Sequence, residues 1–72
     1  MPKLAPIKRK DLIYYLRQLG FNGLNPGGNH QYMQKGELKV RIPNPHRSDI
    51  GKNLLINILK QATVDKTIWE EL

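Results

Sequence analysis

The sequence predicts an α+β fold in which a helix, a small antiparallel sheet and a second helix follow one another along the chain. Apolar residues recur at helical spacing over residues 8–19 and again over residues 51–61. Between these stretches, residues 38–42 alternate strictly between apolar and basic side chains, which is typical of a strand with one buried face. We therefore expect the helices to cover one face of the sheet and the other face to be open to water.

The first helix is predicted over residues 8–19. Its apolar stripe consists of Leu12, Tyr15, Leu16 and Leu19. Gly20 then occupies the position where a residue in the left-handed conformation commonly ends a helix, and Phe21 can fold back over the last turn. Pro6 bounds the other end, because the residue before a proline avoids helical dihedral angles.

The strands are expected between the two helices. A stretch rich in turn formers, residues 22–29, holds at most a short edge strand around Gly23–Asn25. A β-hairpin follows, with Lys35 and Gly36 as its two turn residues. Pro43 ends the hairpin, because proline cannot donate a hydrogen bond to the ladder.

This turn decides which residues of the hairpin lie opposite one another. Three opposed pairs result: Met33 with Leu38 on the buried face, and Tyr32 with Lys39 and His30 with Arg41 on the open face. The same register places Gln31 opposite Val40 on the buried side, which is its weak point. The alternative is a shift by one residue, which turns Tyr32 inward but also exposes Met33 beside the cations.

The second helix is predicted over residues 51–61, with Ser48 or Asp49 supplying polar groups near its start. Its core stripe consists of Leu54, Leu55, Ile58, Leu59 and Ala62. Ile56 lies off this stripe and is either partly exposed or an interface residue. A short final helix opened by Asp65 is expected within residues 63–72, and the side chains expected to pack back on the core are Ile68, Trp69 and Leu72.

Length and composition limit the classes of protein that this chain can belong to. Its 72 residues, net charge of +6 and 39% hydrophobic content describe a single small soluble domain, residues 1–72. Without cysteine there is no disulfide and no thiolate zinc site, and two histidines do not suggest a metal centre. Neither a signal peptide nor a membrane span is recognisable, so we expect a cytoplasmic protein without metal or cofactor.

The positive charge is concentrated in the first two thirds of the chain. Up to Arg47 there are nine lysines and arginines against two acidic residues, whereas from Ser48 onward there are three against four. This asymmetry favours a polyanionic partner, a nucleic acid, that contacts the basic part. The alternative is that the excess charge merely keeps a small domain soluble.

The open face of the hairpin gathers groups that suit chemistry on RNA. Arg41 and Lys39 can bind phosphate, and Tyr32 offers a surface on which an unpaired base can stack. His30 can exchange protons near neutral pH, because imidazole ordinarily titrates near pH 6.5. RNA carries its own nucleophile, the 2′-hydroxyl, so cleavage needs positioning, proton transfer and charge stabilisation but no obligatory metal. The alternative is an ordinary exposed pair of histidine and arginine.

Four segments together resemble the HicA (YcfA-like) family of small mRNA interferase toxins. They are Lys10-Asp11-Leu12 through Leu19-Gly20-Phe21, then Gly28-Asn29-His30, then Val40-Arg41-Ile42-Pro43 to His46, and finally Leu54 to Gln61. The resemblance covers roughly residues 8–69. It implies a double-stranded-RNA-binding-like fold, with three strands between the helices. It also implies a toxin that cleaves messenger RNA and is blocked by a HicB-like antitoxin.

The resemblance also implies roles for individual residues. The catalytic histidine of the family corresponds to His30, and Gly28 and Asn29 match the two positions before it. The segment that ends at His46 is one residue longer than the common Pro-x-His form. Arg41 is expected opposite His30, and His46 lies five positions further along the chain. In an extended chain this puts the two histidines about 16 Å apart, which argues against their acting together as acid and base. His46 instead shapes the loop before the second helix or touches RNA phosphate.

Residues and resemblance together predict a metal-independent endoribonuclease with His30 as general base or acid. Arg41 and Lys39 hold the phosphate, and Lys8, Arg9 and Lys10 extend the electrostatic track. The Gly27-Gly28 turn lets the RNA backbone approach closely. The alternatives are a non-catalytic RNA-binding module and a protein-interaction domain that uses the open sheet face. A helix-turn-helix is disfavoured, because a hairpin separates the helices.

Overall fold

The structure, a computed structural model, describes residues 2–26, 31–44 and 49–72. Its elements are α1 (Arg9–Gln18), β1 (Asn22–Asn25), β2 (Gln31–Lys35), β3 (Leu38–Ile42), α2 (Lys52–Gln61) and α3 (Lys66–Glu70). The predicted α+β order is confirmed, and it agrees with the double-stranded-RNA-binding-like arrangement that the resemblance implies. No helix in these ranges has both the length and the apolar character needed to cross a membrane.

Two helix ends follow from local sequence as predicted, the end of α1 and the start of α3. At the start of α2 the predicted cap is not seen, because the N-cap residue is Gly51 and no side chain caps it; Ser48 lies outside the described residues. Gly20, which follows the C-cap residue Leu19 of α1, has a φ of +97°, and the amide of Phe21 donates to the carbonyl of Leu16 at 3.0 Å. These are features of a left-handed helix end, and the ring of Phe21 is buried against the core. Asp65 caps α3, because its Oδ1 accepts a hydrogen bond from the amide of Ile68 at 2.9 Å.

The core lies between the helices and one face of the sheet. Its fully buried large side chains are Leu12 and Leu16 of α1, Met33, Val40 and Ile42 of the sheet, Ile50, Leu55 and Ile58 near or in α2, and Trp69 of α3. The Trp69 ring packs edge-on against Tyr15, and its Nε1 donates to the carbonyl of Lys3 at 3.2 Å. A backbone bridge between Ile7 and Ile50 holds the segments before α1 and α2 side by side.

Three side chains that were predicted to be buried are exposed. Leu54 is 42% exposed and Ile68 is 44% exposed. Each precedes a buried residue in a helix, and a rotation of about 100° per residue takes it off the core-facing side. Leu38 is 39% exposed, because it pairs with Lys35 beside the hairpin turn and not with Met33.

The three strands form an antiparallel sheet in the order β1-β2-β3. The predicted hairpin register is wrong by two residues. The observed pairs are Gln31 with Ile42, Tyr32 with Arg41, Met33 with Val40, Gln34 with Lys39 and Lys35 with Leu38. Because the shift is even, every side chain stays on its predicted face while its opposite neighbour changes.

The position of glycine in the turn explains the register. The turn residues are Gly36 and Glu37, and Gly36 has a φ of +59° whereas Glu37 is not in the positive-φ region. This is the φ pattern of a type II′ turn, which places glycine first. A turn of Lys35 and Gly36 would need lysine at that first, left-handed position, where its Cβ is unfavourable.

A β-bulge shapes the edge strand β1, which lies where a short edge strand was predicted. Its pairing shifts by one residue between Asn22 and Asn25. Gly23 lies between them with a φ of +123°, and a Cβ there would come within 3.0 Å of the Tyr32 carbonyl oxygen. Glycine is therefore required at this position of the bulge. The Arg17 guanidinium also donates a hydrogen bond to the Gly23 carbonyl at 2.9 Å.

Candidate nucleic-acid interface

The face of the sheet opposite the helices carries Tyr32, Gln34, Lys39 and Arg41, and we call these four residues the open face. They alternate along β2 and β3 with the buried Met33, Val40 and Ile42. Lys39 and Arg41 are exposed, whereas Tyr32 and Gln34 are half-buried. The open face thus combines two cations that water reaches freely with an aromatic ring and an amide held more firmly by their surroundings.

Tyr32 lies next to both cations of the open face. Arg41 is directly opposite it in the register, and the Lys39 Nζ lies 5.3 Å from the centre of its ring. The prediction that Tyr32 faces Lys39 is therefore wrong in register, but the two side chains meet diagonally across the strands. A cation at this distance interacts favourably with the ring, so the lysine and the tyrosine help to hold each other in place.

The start of α1 carries the other predicted RNA contacts, and its three cations differ in their surroundings. Lys8 and Lys10 are exposed, whereas Arg9 is half-buried. The Arg9 Nε donates to the Pro43 carbonyl at 3.1 Å, and its Nη2 donates to the Gln31 Oε1. One guanidinium therefore joins α1 to the first residue of β2 and to the residue after β3.

Several predicted site residues lie outside the described residues: Gly27, Gly28, Asn29, His30 and His46. The register still corrects one prediction about them. Arg41 pairs with Tyr32, so the expected pair of His30 with Arg41 is wrong. His30 directly precedes Gln31 in the chain, and His46 comes three residues after Pro43. In the chain, His30 is therefore the neighbour of a residue that Arg9 contacts.

The link through Gln31 was missed at the level of sequence. Gln31 is a polar residue on the same side of β2 as the buried Met33, yet its side chain is exposed. That mismatch was the one available signal. It could not identify the partner, because Arg9 is 22 residues away and lies in a cationic run that suits solvent or phosphate equally well.

The described residues offer no cluster of three or more histidine, cysteine, aspartate or glutamate side chains that could hold a metal ion. Two surface depressions of the described residues lie away from the open face. One, of about 280 Å³, lies between the N-terminal segment and Tyr15. Another, of about 240 Å³, is lined mainly by apolar side chains of α2 and of the segment that leads into α3. The two exposed cations and the ring of Tyr32 on the open face can support the binding of an extended anion.

Comparison with known proteins gives one result. The family described as the HicA toxin of bacterial toxin–antitoxin matches residues 9–64, which is more than half of the chain. No curated protein and no solved structure gives a significant match. The match includes both long helices, all three strands and the open face between them. The chain therefore belongs to the family of HicA toxins of bacterial toxin–antitoxin systems.

Proposed function

We propose that this HicA toxin is a metal-independent endoribonuclease that cleaves messenger RNA. Membership of the family supports the role of toxin. The observation that supports RNA as the substrate is the open face, where Tyr32 lies opposite Arg41 and in contact with Lys39. An aromatic ring beside two exposed cations matches the two recurring parts of a single-stranded nucleic acid, its bases and its phosphates.

The nucleophile in this reaction belongs to the RNA. His30 accepts the proton of a 2′-hydroxyl, whose oxygen attacks the adjacent phosphorus; the bond from phosphorus to the 5′-oxygen breaks, and the leaving oxygen takes up a proton from water. The alternative role for the same imidazole is to donate the proton that the leaving oxygen takes up. In either role His30 supplies acid–base catalysis, which is worth about 10²- to 10⁴-fold in rate.

The cations have two tasks. Arg41 and Lys39 bind phosphate, Arg41 with a planar fork and Lys39 as a point charge, and neutralise the charge that develops on the phosphoryl oxygens. The cations at the start of α1, Lys8, Arg9 and Lys10, extend the basic track along the strand of RNA. Gly28 and Asn29, which precede the hairpin in the chain, and His46, which follows it, add further contacts with RNA.

The protein partner follows from the same arrangement. A toxin of this family implies an antitoxin, and a HicB-like antitoxin with an acidic surface would complement the open face. Bound there, it would cover Arg41 and Lys39 and exclude messenger RNA. A complex with the antitoxin should therefore neither bind nor cut RNA.

The direct test is cleavage of an unstructured messenger RNA by the purified protein in the presence of a chelator. The wild-type protein should shorten the RNA, and His30→Ala should abolish cleavage while the protein stays folded by circular dichroism. His46→Ala is the matched control, since it removes the other imidazole. It should weaken RNA binding yet still cut at saturating RNA. Full activity of His30→Ala would refute the catalytic role.

Substitution of a single RNA atom tests the nucleophile. A 2′-deoxy nucleotide at the cleaved position should prevent cleavage at that position alone, because it lacks the attacking oxygen. The products of the normal reaction should carry a 2′,3′-cyclic phosphate and a free 5′-hydroxyl. A protein that binds this RNA but leaves it intact would instead be the non-catalytic RNA-binding module. Products with 5′-phosphates would exclude attack by the 2′-hydroxyl.

A further inference from the structure

Arg9 differs from the two lysines that flank it. All three cations lie where α1 begins, a position that the helix dipole makes unfavourable for positive charge. Lys8 and Lys10 are exposed, whereas Arg9 is half-buried and its guanidinium donates to the carbonyl of Pro43 and to the exposed side chain of Gln31. A side chain that serves only as a cation for RNA gains nothing from these two contacts with uncharged acceptors.

The two contacts lie at one end of the hairpin, opposite the Gly36 turn. Gln31 pairs with Ile42 at that end, so the chain enters β2 and leaves β3 side by side. The turn fixes the hairpin at one end, and Arg9 joins the entering and leaving strands to α1 at the other. The residue next to this junction in the chain is His30, directly before Gln31.

We propose that Arg9 is a positioning residue, whose guanidinium holds Gln31, the residue that follows His30 in the chain, and thereby sets the rate of the catalytic step. This inference rests on the proposed function. The planar guanidinium suits the task, because its Nε and Nη2 donate in fixed directions to two separate acceptors. A lysine at this position keeps the charge but lacks the fork. Two of the five guanidinium N–H groups are used in the described contacts, so others can still face RNA.

Positioning and RNA binding have different kinetic signatures. If Arg9 positions His30, Arg9→Lys lowers kcat on the order of 10- to 100-fold, as expected for a misplaced catalytic group, with little change in KM. Lys10→Ala, which removes a neighbouring exposed charge, instead raises KM and flattens the salt dependence of binding. Gln31→Ala should lower kcat as Arg9→Lys does, without any change in charge. Gln31→Glu should keep most of kcat, because a carboxylate also accepts from guanidinium.

The experiment is single-turnover and steady-state cleavage by wild-type protein, Arg9→Lys, Gln31→Ala, their double variant and Lys10→Ala, after thermal unfolding has verified that each is folded. The double variant should be no slower than the slower single variant, because both remove one link. Full kcat in Arg9→Lys, or a rise in KM with unchanged kcat as in Lys10→Ala, would overturn the positioning role.

A second readout does not depend on cleavage. In two-dimensional NMR spectra of the free protein, Arg9→Lys and Gln31→Ala should shift the imidazole signals of His30, whereas Lys10→Ala should leave them in place. Unchanged signals in both variants would refute the link to His30 even if the protein cuts RNA. Conversely, absence of cleavage by the wild-type protein would refute the proposed function and leave this NMR comparison as the test of the link.

Discussion

The role of Arg41 can be tested through the salt dependence of RNA binding. Arg41 is exposed on β3 opposite Tyr32, so Arg41→Ala removes a surface side chain and should change the free energy of unfolding by no more than about 0.5 kcal/mol. If its guanidinium binds one phosphate, binding of the variant neutralises one phosphate fewer and releases correspondingly fewer counterions from the RNA. For a single strand, the slope of log K against log salt concentration then becomes shallower by about 0.7.

This change in slope gives a measurable difference. Between 50 and 200 mM salt, a slope difference of about 0.7 changes the ratio of wild-type to variant affinity by about 2.6-fold, with the larger deficit at low salt. Fluorescence anisotropy with a 2′-O-methylated RNA measures it without cleavage. The matched control is Lys66→Ala, an exposed cation in α3 away from the open face, whose line should be parallel to that of the wild-type protein.

Three outcomes would contradict the reasoning about Arg41. Parallel lines for Arg41→Ala and the wild-type protein would mean that this guanidinium contacts no phosphate. A slope change of the same size in Lys66→Ala would mean that the net charge of the domain, and not the open face, governs binding. A loss of affinity that is equal at all salt concentrations and accompanied by a lower unfolding temperature would mean a folding defect.

Three further substitutions test the open face and the core. Tyr32→Leu should weaken binding of single-stranded RNA by about 1–3 kcal/mol if a base stacks on the ring, whereas Tyr14→Leu, at a ring 57% exposed on α1, should not; equal losses would exclude stacking on Tyr32. Leu55→Ala should cost about 2–5 kcal/mol in urea unfolding, and the exposed Leu54→Ala far less. Gly23→Ala should destabilise the fold by more than about 1 kcal/mol, because its φ is +123° and a Cβ would press on backbone; an unchanged urea midpoint would contradict the bulge.

The sequence predicted the helices well, because their signals are local. Gly20 ends α1 and Asp65 opens α3 through contacts with residues three to five positions away. Apolar periodicity likewise identified Leu12, Leu16 and Ile58 as core residues. It failed at Leu54, because a stripe of apolar residues is broader than the part of a helix that its neighbours cover.

The hairpin shows which information a strand pattern contains and which it lacks. Alternation of side chains determines the face on which each residue lies, so Tyr32, Lys39 and Arg41 were assigned to the open face correctly. Alternation is unchanged by a shift of two residues, so it cannot determine the opposite neighbour of Tyr32. The preference of a type II′ turn for glycine at its first position distinguishes the two registers.

The candidate site is less accessible from sequence than the fold. The roles of His30 and His46 remain predictions, because both lie outside the described residues. The contact of Arg9 with Gln31 depends on how α1 lies across the sheet, and no pattern in the chain encodes that packing between residues far apart. Sequence could thus name the chemical groups of the site but not which of them the fold uses internally.

Trp69 has a consequence for the smallest part of the chain that can fold. The family match ends at residue 64, yet this indole is fully enclosed and is tied to Lys3, which precedes the matched region. Ile7, also outside the match, supplies the backbone partner of Ile50. A fragment trimmed to residues 9–64 would lack the indole that packs against Tyr15. It would also lack the backbone bridge between the segments that precede α1 and α2. The region that matches the family is therefore smaller than the part of the chain that packs together as one domain.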